Sequence, residues 1–370
     1  MNKRFWMTAL TLTGTMIGAG ILGLPFVIAK SGFAIGIFWI LFLAGILVYI
    51  KLCLGEVALR TKTTHHLPGY TEIYLGENAK KLMFFSMVFG IYSALIAYMI
   101  GESQSISMFF TGTLRYSIYF AIGFWVVMTL LLREGLSGLK KVETYGVIAI
   151  VFITIILFVW FLPNIEYNNL NSANKNNFFM PYGVVLFSLL GFSCIPELRR
   201  EIKGSEKLLN KAIVVGAMIA VFIYILFVFT FVGRYGISVG EVATLSSGRF
   251  VSLLGVFTML TSYFVLSFAL KDIFIYDFKT PKKRAFVYVS IIPLLILLGI
   301  IYFNLASFVM ILGIGGVVSG GLTGVVGLIM SMKAKHLGKR KPEYEMPLNW
   351  WMVGILSFIF VVGVVLELVT

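Results

Sequence analysis

Long apolar segments dominate this sequence and constrain its fold more than any other feature. A helix that crosses a bilayer needs about 20 mostly apolar residues, and eleven segments of the chain meet that condition. Their approximate limits are 5–29, 33–59, 83–110, 114–132, 143–162, 179–198, 210–232, 249–276, 285–303, 305–332 and 350–369. Because 59% of the residues are hydrophobic and only 12% are charged, the sequence predicts an all-α polytopic membrane protein.

The basic residues predict how the chain is oriented in the membrane, since Lys and Arg accumulate on the cytoplasmic side. With the N-terminus inside, 24 of the 30 basic residues fall in cytoplasmic segments and 5 in outer segments. The remaining one, Lys51, lies with Glu56 near the cytoplasmic end of the second span, where both side chains could extend to the interface. The prediction is a multi-pass protein of the cell membrane, with the N-terminus cytoplasmic and the C-terminus outside.

Glycines interrupt the first apolar segment, which reads GTMIGAGILGLP over residues 14–25. Irregular backbone at membrane depth is tolerated only where it lines a cavity in the protein, so this segment predicts a ligand site. Gly18, Gly20 and Gly23 also spell GxGxxG. A dinucleotide site would need a strand before these glycines and an acidic residue about 20 positions after them, and the sequence has neither.

A second break is predicted in the sixth span, LFSLLGFSCIPE, at residues 186–197. Gly191 precedes Pro196 by five positions, as Gly20 precedes Pro25. Because five spans separate the two breaks, the second unit enters the membrane in the opposite orientation, which is typical of inverted-repeat transporters with a binding site at the midplane. Close helix packing is the alternative for such glycines, and it is favoured for the tenth span, ILGIGGVVSGGLTG.

Several segments together resemble the amino acid/auxin permease family. They are GTMIGAGILGLPF, GEVALR, LPGYTEIYLGENAKK, IPELRR and TSYFVLSFALKDIFIYDF, between about residues 7 and 330. The last of them is most similar to the aromatic amino acid (tryptophan/tyrosine) permease branch. The resemblance implies the amino acid-polyamine-organocation superfamily and the leucine-transporter-like fold, a five-plus-five inverted repeat with an eleventh helix. The units would be 1–162 and 163–332 for the two repeats, and 333–370 for a cytoplasmic loop and the eleventh helix.

The resemblance also implies a substrate site at the two breaks. Backbone amides at the first break would bind the substrate carboxylate, helped by the positive end of the half-helix that begins there. Carbonyl groups and a hydroxyl at the second break would face the α-amino group. The residues expected to bind substrate are Thr15, Ala19, Gly20, Ile21, Glu102, Gly191, Phe192 and Ser193.

A sodium site is the second implication. In sodium-coupled relatives an ion lies between the first and eighth helices, and the matching positions here are Gly14, Ile17, Thr261 and Ser262. The alternative for the two hydroxyls is a bond to the preceding helical turn. The coupling ion is therefore Na⁺ or H⁺, and no other cofactor is expected. The fifth span contains no lysine that could replace the ion, as happens in some proton-coupled relatives, and this favours sodium.

Glu102 is the deepest acidic residue, in the third span. Charged groups within spans are functional candidates because their burial is costly. Glu102 could carry a proton or contact the substrate amino group, and a buried carboxyl can load and release a proton where an amide cannot. Alternatively it is a satisfied acid bonded to Ser103, Ser105 or a neighbouring helix. Tyr98 and Phe187 could line the pocket or simply pack.

These features predict a symporter that carries neutral, hydrophobic or aromatic amino acids by alternating access. The protein is expected to be a monomer in the bilayer. The alternative is an amino-acid-sensing receptor subunit on the same fold, of the spore-germination type. An enzyme is not expected, because the three histidines fall in cytoplasmic loops and no nucleophile, metal or phosphate motif is present. The net charge of +14 follows from membrane topology and does not indicate nucleic-acid binding.

Overall fold

The computed structural model describes residues 3–134 and 139–369, which form α-helices, short 3₁₀ and π-helical turns and loops, without any β-strand. The α-helices are α1 (Lys3–Met16), α2 (Ala19–Ser31), α3 (Phe33–Arg60), α4 (Leu67–Leu75), α5 (Glu77–Thr111), α6 (Ser117–Glu134), α7 (Leu139–Phe161), α8 (Tyr167–Leu170), α9 (Tyr182–Ser188), α10 (Ile195–Glu201), α11 (Leu209–Tyr235), α12 (Arg249–Asp272), α13 (Lys282–Phe303), α14 (Phe308–Gly315), α15 (Gly321–Leu337) and α16 (Trp350–Val369).

Most of the predicted spans are present as long apolar helices. The described residues contain nine helices that are long and apolar enough to cross a membrane, and ten when the bent pair α1 and α2 counts as one span. The fourth predicted span, 114–132, corresponds to a shorter apolar helix, Ser117–Arg133. The protein is thus all-helical over the described residues and has the character of a polytopic membrane protein, as predicted.

The break predicted in the first span is confirmed. Helix α1 ends at Met16 and α2 begins at Ala19, with a bend of 55° between them. Gly18 joins the two helices with φ −133° and ψ −141°, which is far from helical values. The break therefore leaves the carbonyl end of α1 and the amide end of α2 without helical partners in the middle of the protein.

The break predicted in the sixth span is also confirmed. Helix α9 ends at Ser188, α10 begins at Ile195, and one 3₁₀ turn over Phe192–Cys194 lies between them. Gly191 precedes this turn with φ +111°, in the region that favours glycine. Pro196 occupies the first turn of α10, where its missing N–H costs no hydrogen bond.

The tenth span is interrupted differently, by a π-helical turn over Gly316–Gly320 between α14 and α15. Its glycines allow close packing: a Cβ on Gly316 would lie 2.3 Å from the carbonyl oxygen of Gly183, and one on Gly315 would lie 2.6 Å from Cβ of Ser93. The packing interpretation of these glycines is confirmed. The turn also changes which side chains of α15 face inward.

The two broken helices occupy the centre of the molecule. Helix α2 is buried along most of its length and packs against α9 and α11. The longest helix, α5, packs along α12, α6, α4 and α14. Helices α13 and α16 are mostly exposed and present large apolar side chains outward, as expected for surfaces that face lipid.

The segment between α15 and α16 binds the end of α3. The Tyr344 hydroxyl donates to the Leu52 carbonyl at 2.8 Å, and the Met346 amide donates to the Glu56 carboxylate at 2.7 Å. Glu56 also accepts a bond from Arg60 Nε at 2.8 Å. Glu56 is thus buried in a structural hydrogen-bond network and does not extend to the interface.

Candidate functional site

A partly open cavity lies between the two helix breaks. Both breaks contribute to its wall, together with α4, α5, α12 and the tenth span. The lining residues are Thr15, Met16, Gly18, Leu67, Met87, Gly90, Ile91, Ala94, Tyr98, Phe187, Leu190, Gly191, Phe192, Ser193, Leu266, Ser319 and Thr323.

The chemistry of this lining is apolar with a few hydroxyl groups. Aliphatic, Met and Phe side chains form most of the wall, and its polar side chains are those of Thr15, Tyr98, Ser193, Ser319 and Thr323. None of the lining residues among those described carries a charged side chain. A ligand that fits this surface would have an apolar body, and any charge on it would have to be met by backbone dipoles at the helix ends.

Four of the eight predicted substrate residues line this cavity: Thr15, Gly191, Phe192 and Ser193. Tyr98 and Phe187, which the sequence left open between lining and packing, line it as well.

The predicted amides at the first break lie behind this surface. Ala19, Gly20 and Ile21 are buried and are not among the lining residues, and Gly18 borders the cavity instead. Gly20 is a close-packing position: a Cβ there would lie 2.3 Å from Oγ and 2.8 Å from Cα of Ser188. In this conformation α2 and α9 are therefore in direct backbone contact at Gly20.

The Tyr98 hydroxyl closes the first break from the side of α5. It lies against the backbone of Ala19 and the side chain of Ser262. A Cβ on Gly18 would be only 2.3 Å from Tyr98 Oη, so a side chain at position 18 would displace this tyrosine. In this conformation Tyr98 thus covers the amide end of α2.

All four predicted sodium ligands line a second, smaller cavity. The Ser262 hydroxyl donates to the Thr258 carbonyl at 3.1 Å and reaches the Ile17 carbonyl at 3.4 Å, and the Thr261 hydroxyl lies 3.5 Å from the Phe257 carbonyl. Both hydroxyls thus contact the preceding helical turn, and Ser262 also contacts the first break. The remaining lining residues are Thr15, Tyr98, Val147, Ile150, Val265 and Leu266.

The two cavities adjoin each other, since Thr15, Tyr98 and Leu266 line both. The smaller cavity offers neutral oxygen atoms and no carboxylate among its described lining residues. Across the described part of the chain, no group of three or more His, Cys, Asp or Glu residues could hold a metal ion. Any cation in the smaller cavity would therefore be held by carbonyl and hydroxyl oxygens.

Glu102 lies in α5 one helical turn beyond Tyr98, on the same helix face. Its side chain is fully buried, and neither carboxyl oxygen has a hydrogen-bond partner among the described residues. The bonds to serine considered from the sequence are not formed: Ser103 donates to the Ile100 carbonyl at 2.8 Å, and Ser105 Oγ is also without a partner in this part of the chain. Glu102 lines neither cavity.

Lys51 differs from its prediction. Its side chain does not extend to the interface but is completely buried, because it turns inward to the second break. Its ammonium group donates to the Leu189 carbonyl at 2.8 Å and contacts Met16 Sδ at 3.6 Å. A lysine side chain has a stem of four carbons that can extend to the interface or into the protein. The position of Lys51 in the sequence therefore does not determine which of the two it does.

Tyr224 of α11 joins the two breaks directly. Its hydroxyl lies 2.6 Å from the Met16 carbonyl at the end of α1 and 2.7 Å from the Ser188 carbonyl at the end of α9. The side chain is fully buried. Nothing in the sequence marks this tyrosine among the 17 in the chain, because its role depends on the proximity of two distant segments.

Sequence reasoning also missed the polar groups that the tenth span brings to the cavity. Ser319 lies in the π-helical turn and Thr323 follows in α15. Ser86 of α5 bonds to both of them, to the Ser319 carbonyl at 2.9 Å and to the Thr323 hydroxyl at 2.8 Å. The one available signal was two hydroxyl residues among the glycines of this span, a pattern that also fits simple packing.

Comparison with known proteins identifies the family of this chain. Residues 1–247 match the tryptophan/tyrosine permease family. The chain is 24% identical over 228 residues to tyrosine-specific transport system 1 of Haemophilus influenzae, covering 61% of this chain and 56% of that protein. It is 21% identical over 240 residues to glutamine transporter 2 of Aliivibrio fischeri, covering 63% and 62%. It is 22% identical over 253 residues to amino acid transporter AVT1H of Arabidopsis thaliana, covering 66% and 59%.

The matched region thus spans about three fifths of the length of these curated relatives. The relatives are transporters and the family is one of permeases, so the expectation that the chain is not an enzyme is confirmed. The match over two thirds of the chain covers four of the five segments on which the resemblance rests, GTMIGAGILGLPF, GEVALR, LPGYTEIYLGENAKK and IPELRR. The chain belongs to the tryptophan/tyrosine permease family.

Proposed function

We propose that this protein is a secondary active transporter that carries neutral amino acids with apolar or aromatic side chains by alternating access. The observation that carries the proposal is the mostly apolar cavity between two broken helices, which has hydroxyl groups and helix ends but no charged side chain in its described lining. A zwitterion with an apolar side chain matches such a surface. The names of two relatives, a tyrosine-specific transport system and a glutamine transporter, support the transport of neutral amino acids, and the first of them supports an aromatic side chain.

In the proposed binding mode, the substrate carboxylate lies toward the amide end of α2, which carries the positive end of the helix dipole. The α-amino group lies toward Gly191 and Ser193 at the second break. The side chain extends along Phe187, Phe192 and the apolar wall. Because Tyr98 covers Ala19 in this conformation, binding through Ala19, Gly20 and Ile21 would require the tyrosine to move aside.

Sodium is the proposed coupling ion. Gly14, Ile17, Thr261 and Ser262 line one small cavity next to the substrate cavity, and oxygen atoms are the ligands that hard cations take. Sharing of Thr15 between the cavities would let ion and substrate affect each other's binding. Glu102 is the alternative, as a proton carrier, because its carboxyl group is buried without a partner in the described part of the chain.

The proposed architecture is the five-plus-five inverted repeat, with repeats at 1–162 and 163–332 and a last helix outside them. Two helix breaks at matching positions, α1/α2 and α9/α10, support it. The protein would be a monomer in the cell membrane with a cytoplasmic N-terminus, which the 24 to 5 distribution of basic residues supports.

Uptake into proteoliposomes tests the proposal. Purified protein is supplied with radiolabelled phenylalanine, tyrosine, leucine or glutamine under a sodium gradient at equal pH, or under a pH gradient without sodium. The proposal predicts accumulation of the apolar amino acids under the sodium gradient. Binding of an amino acid without accumulation or exchange under either gradient would instead indicate a sensor.

A further inference from the structure

The tenth span places a pair of hydroxyl groups at one end of the cavity between the two breaks. Ser319 and Thr323 are one helical turn apart, and both line this cavity. A Cβ on Gly90 of α5 would lie 2.2 Å from Ser319 Oγ, so the glycine leaves room for this hydroxyl. A Cβ on Gly320 would lie 2.9 Å from Leu190 Cδ2. The pair therefore lies where α5, the second break and the tenth span meet.

The hydrogen bonds around this pair determine what it can offer a ligand. The Ser86 hydroxyl lies 2.9 Å from the Ser319 carbonyl oxygen and 2.8 Å from the Thr323 hydroxyl. A carbonyl only accepts hydrogen bonds and a hydroxyl has a single hydrogen, so Ser86 donates to Ser319 and accepts from Thr323. The hydrogen of Thr323 is therefore in use, whereas its oxygen can still accept a bond from a ligand.

The Ser319 hydroxyl is the second group available to a ligand. Among the described residues it makes no hydrogen bond, and Ser86 bonds to the carbonyl of Ser319 instead. The Ser319 hydroxyl can thus donate or accept, while the Thr323 hydroxyl can only accept a further bond. A ligand group that donates a hydrogen bond suits both hydroxyls, and a group that only accepts suits Ser319 alone.

The pair lies within reach of a substrate bound at the first break. Gly18 of that break lies against Tyr98 of α5, and Ser319 lies against Gly90 of the same helix. Tyr98 and Gly90 are eight positions apart, which is roughly 12 Å along an α-helix. An aromatic amino acid with a hydrogen bond at each end is about as long. With its carboxylate near the first break, such a molecule would place the end of its ring at Ser319.

We propose that Ser319 and Thr323 are specificity-determining residues that bind a hydrogen-bond donor at the end of the substrate side chain. The substrates they favour are neutral amino acids whose apolar or aromatic side chain ends in a hydroxyl or an uncharged amino group. A side chain that ends in carbon leaves both acceptors to water. Because the cavity is partly open to water, the expected preference is about tenfold. The inference rests on the proposed transport of apolar and aromatic amino acids.

Four compounds of similar size test the inference in the wild-type protein, as inhibitors of radiolabelled tyrosine uptake into proteoliposomes. Tyrosine and 4-aminophenylalanine carry a donor at the end of the ring, and phenylalanine and 4-fluorophenylalanine do not. The first two should inhibit about tenfold more strongly than the other two. A purely apolar cavity would instead favour phenylalanine, which is more hydrophobic than tyrosine. Inhibition by phenylalanine or 4-fluorophenylalanine as strong as inhibition by tyrosine overturns the inference.

Variants of the pair then identify the residues. Thr323→Val removes the accepting oxygen at similar volume, so inhibition by tyrosine should weaken by about tenfold and inhibition by phenylalanine much less. Ser319→Ala keeps the carbonyl that Ser86 bonds and should shift the preference in the same direction. Thr323→Ser keeps a hydroxyl and should retain the preference. Ser331→Ala is the matched control, because that hydroxyl donates to the Gly327 carbonyl of its own helix at 2.7 Å and lines neither cavity.

The ratio of the two inhibition constants is the readout that a structural defect would not produce, since a distorted cavity weakens both inhibitors. Parallel losses for tyrosine and phenylalanine in Thr323→Val and Ser319→Ala would refute the role of the pair. If these variants do not insert, the four compounds decide the donor preference in the wild type alone. Absence of uptake by the wild type would contradict the proposed transport function and not this preference, which binding of the same compounds to detergent-purified protein would still report.

Discussion

Adding one methyl group at Gly20 should disturb both helix breaks at once. In Gly20→Ala the new Cβ would be 2.3 Å from Oγ, 2.9 Å from Cβ and 2.8 Å from Cα of Ser188. Carbon atoms at rest are about 3.5–4.0 Å apart, so α2 and α9 must separate by roughly 1 Å at this point. Overpacking of this kind costs about 1–3 kcal/mol. Because Ser188 ends α9, the shift also moves the second break.

The assay combines thermal unfolding in detergent with uptake by proteoliposomes. We expect Gly20→Ala to insert, to unfold at a lower temperature and to lose most of its uptake. Gly45→Ala is the matched control, because Gly45 lies within α3 and a Cβ there would have no atom within 4 Å. Removing a helical glycine should leave that control neutral or more stable by up to about 1 kcal/mol.

A second substitution locates the clash. Adding Ser188→Ala to Gly20→Ala removes the contact with Oγ but leaves the contacts with Cα and Cβ, so it should restore only part of the stability and uptake. Contacting residues of this kind are expected to be non-additive. The reasoning fails if Gly20→Ala unfolds and transports like the wild type, or if Gly45→Ala is equally damaging.

Three further predictions concern coupling and substrate binding. The double variant Thr261→Val, Ser262→Ala should raise the sodium concentration for half-maximal uptake by about tenfold. The half-saturating substrate concentration should change less. Equal changes in the two concentrations would argue against a sodium site. If a pH gradient drives accumulation, Glu102→Gln should abolish that accumulation but retain substrate exchange, because an amide cannot carry the proton. Unchanged pH-driven accumulation would exclude Glu102 from coupling. Tyr98→Phe removes the hydroxyl that lies against Ala19 and Ser262. Because the ring has to move aside for substrate to bind at Ala19, this loss should lower the half-saturating substrate concentration by about threefold to tenfold, and an unchanged or higher value would contradict the covering role of Tyr98.

The sequence was sufficient to predict the two helix breaks, because local chemistry determines them. Gly191 adopts a left-handed φ that other residues avoid, and Pro196 suits a first helical turn. The four residues that line the smaller cavity also lie together, but the resemblance to a family indicated them, and no local pattern did. Their function as ligands stays a prediction, as does that of the amides at Gly20.

The contributions of Lys51, Tyr224 and Thr323 could not be predicted from the sequence. A lysine near a helix end can point to the interface or into the protein, and the choice depends on whether another helix offers a carbonyl within reach. Tyr224 bridges Met16 and Ser188, residues 208 and 36 positions away, so no local pattern contains this relation. These features arise from tertiary packing, which overrides what each segment indicates alone.

The π-helical turn at Gly316–Gly320 determines which way each side chain after it in the tenth span points. A π-helical turn accommodates one extra residue in an otherwise α-helical path, and one residue corresponds to a rotation of about 100° around the axis. Deleting a single glycine there would leave the apolar length of the span nearly unchanged. It would nevertheless turn Thr323 away from the cavity and from Ser86, and would present a different row of α15 side chains to α3 and α16. The polarity of the cavity on this side therefore depends on the number of residues in the turn as well as on their identity.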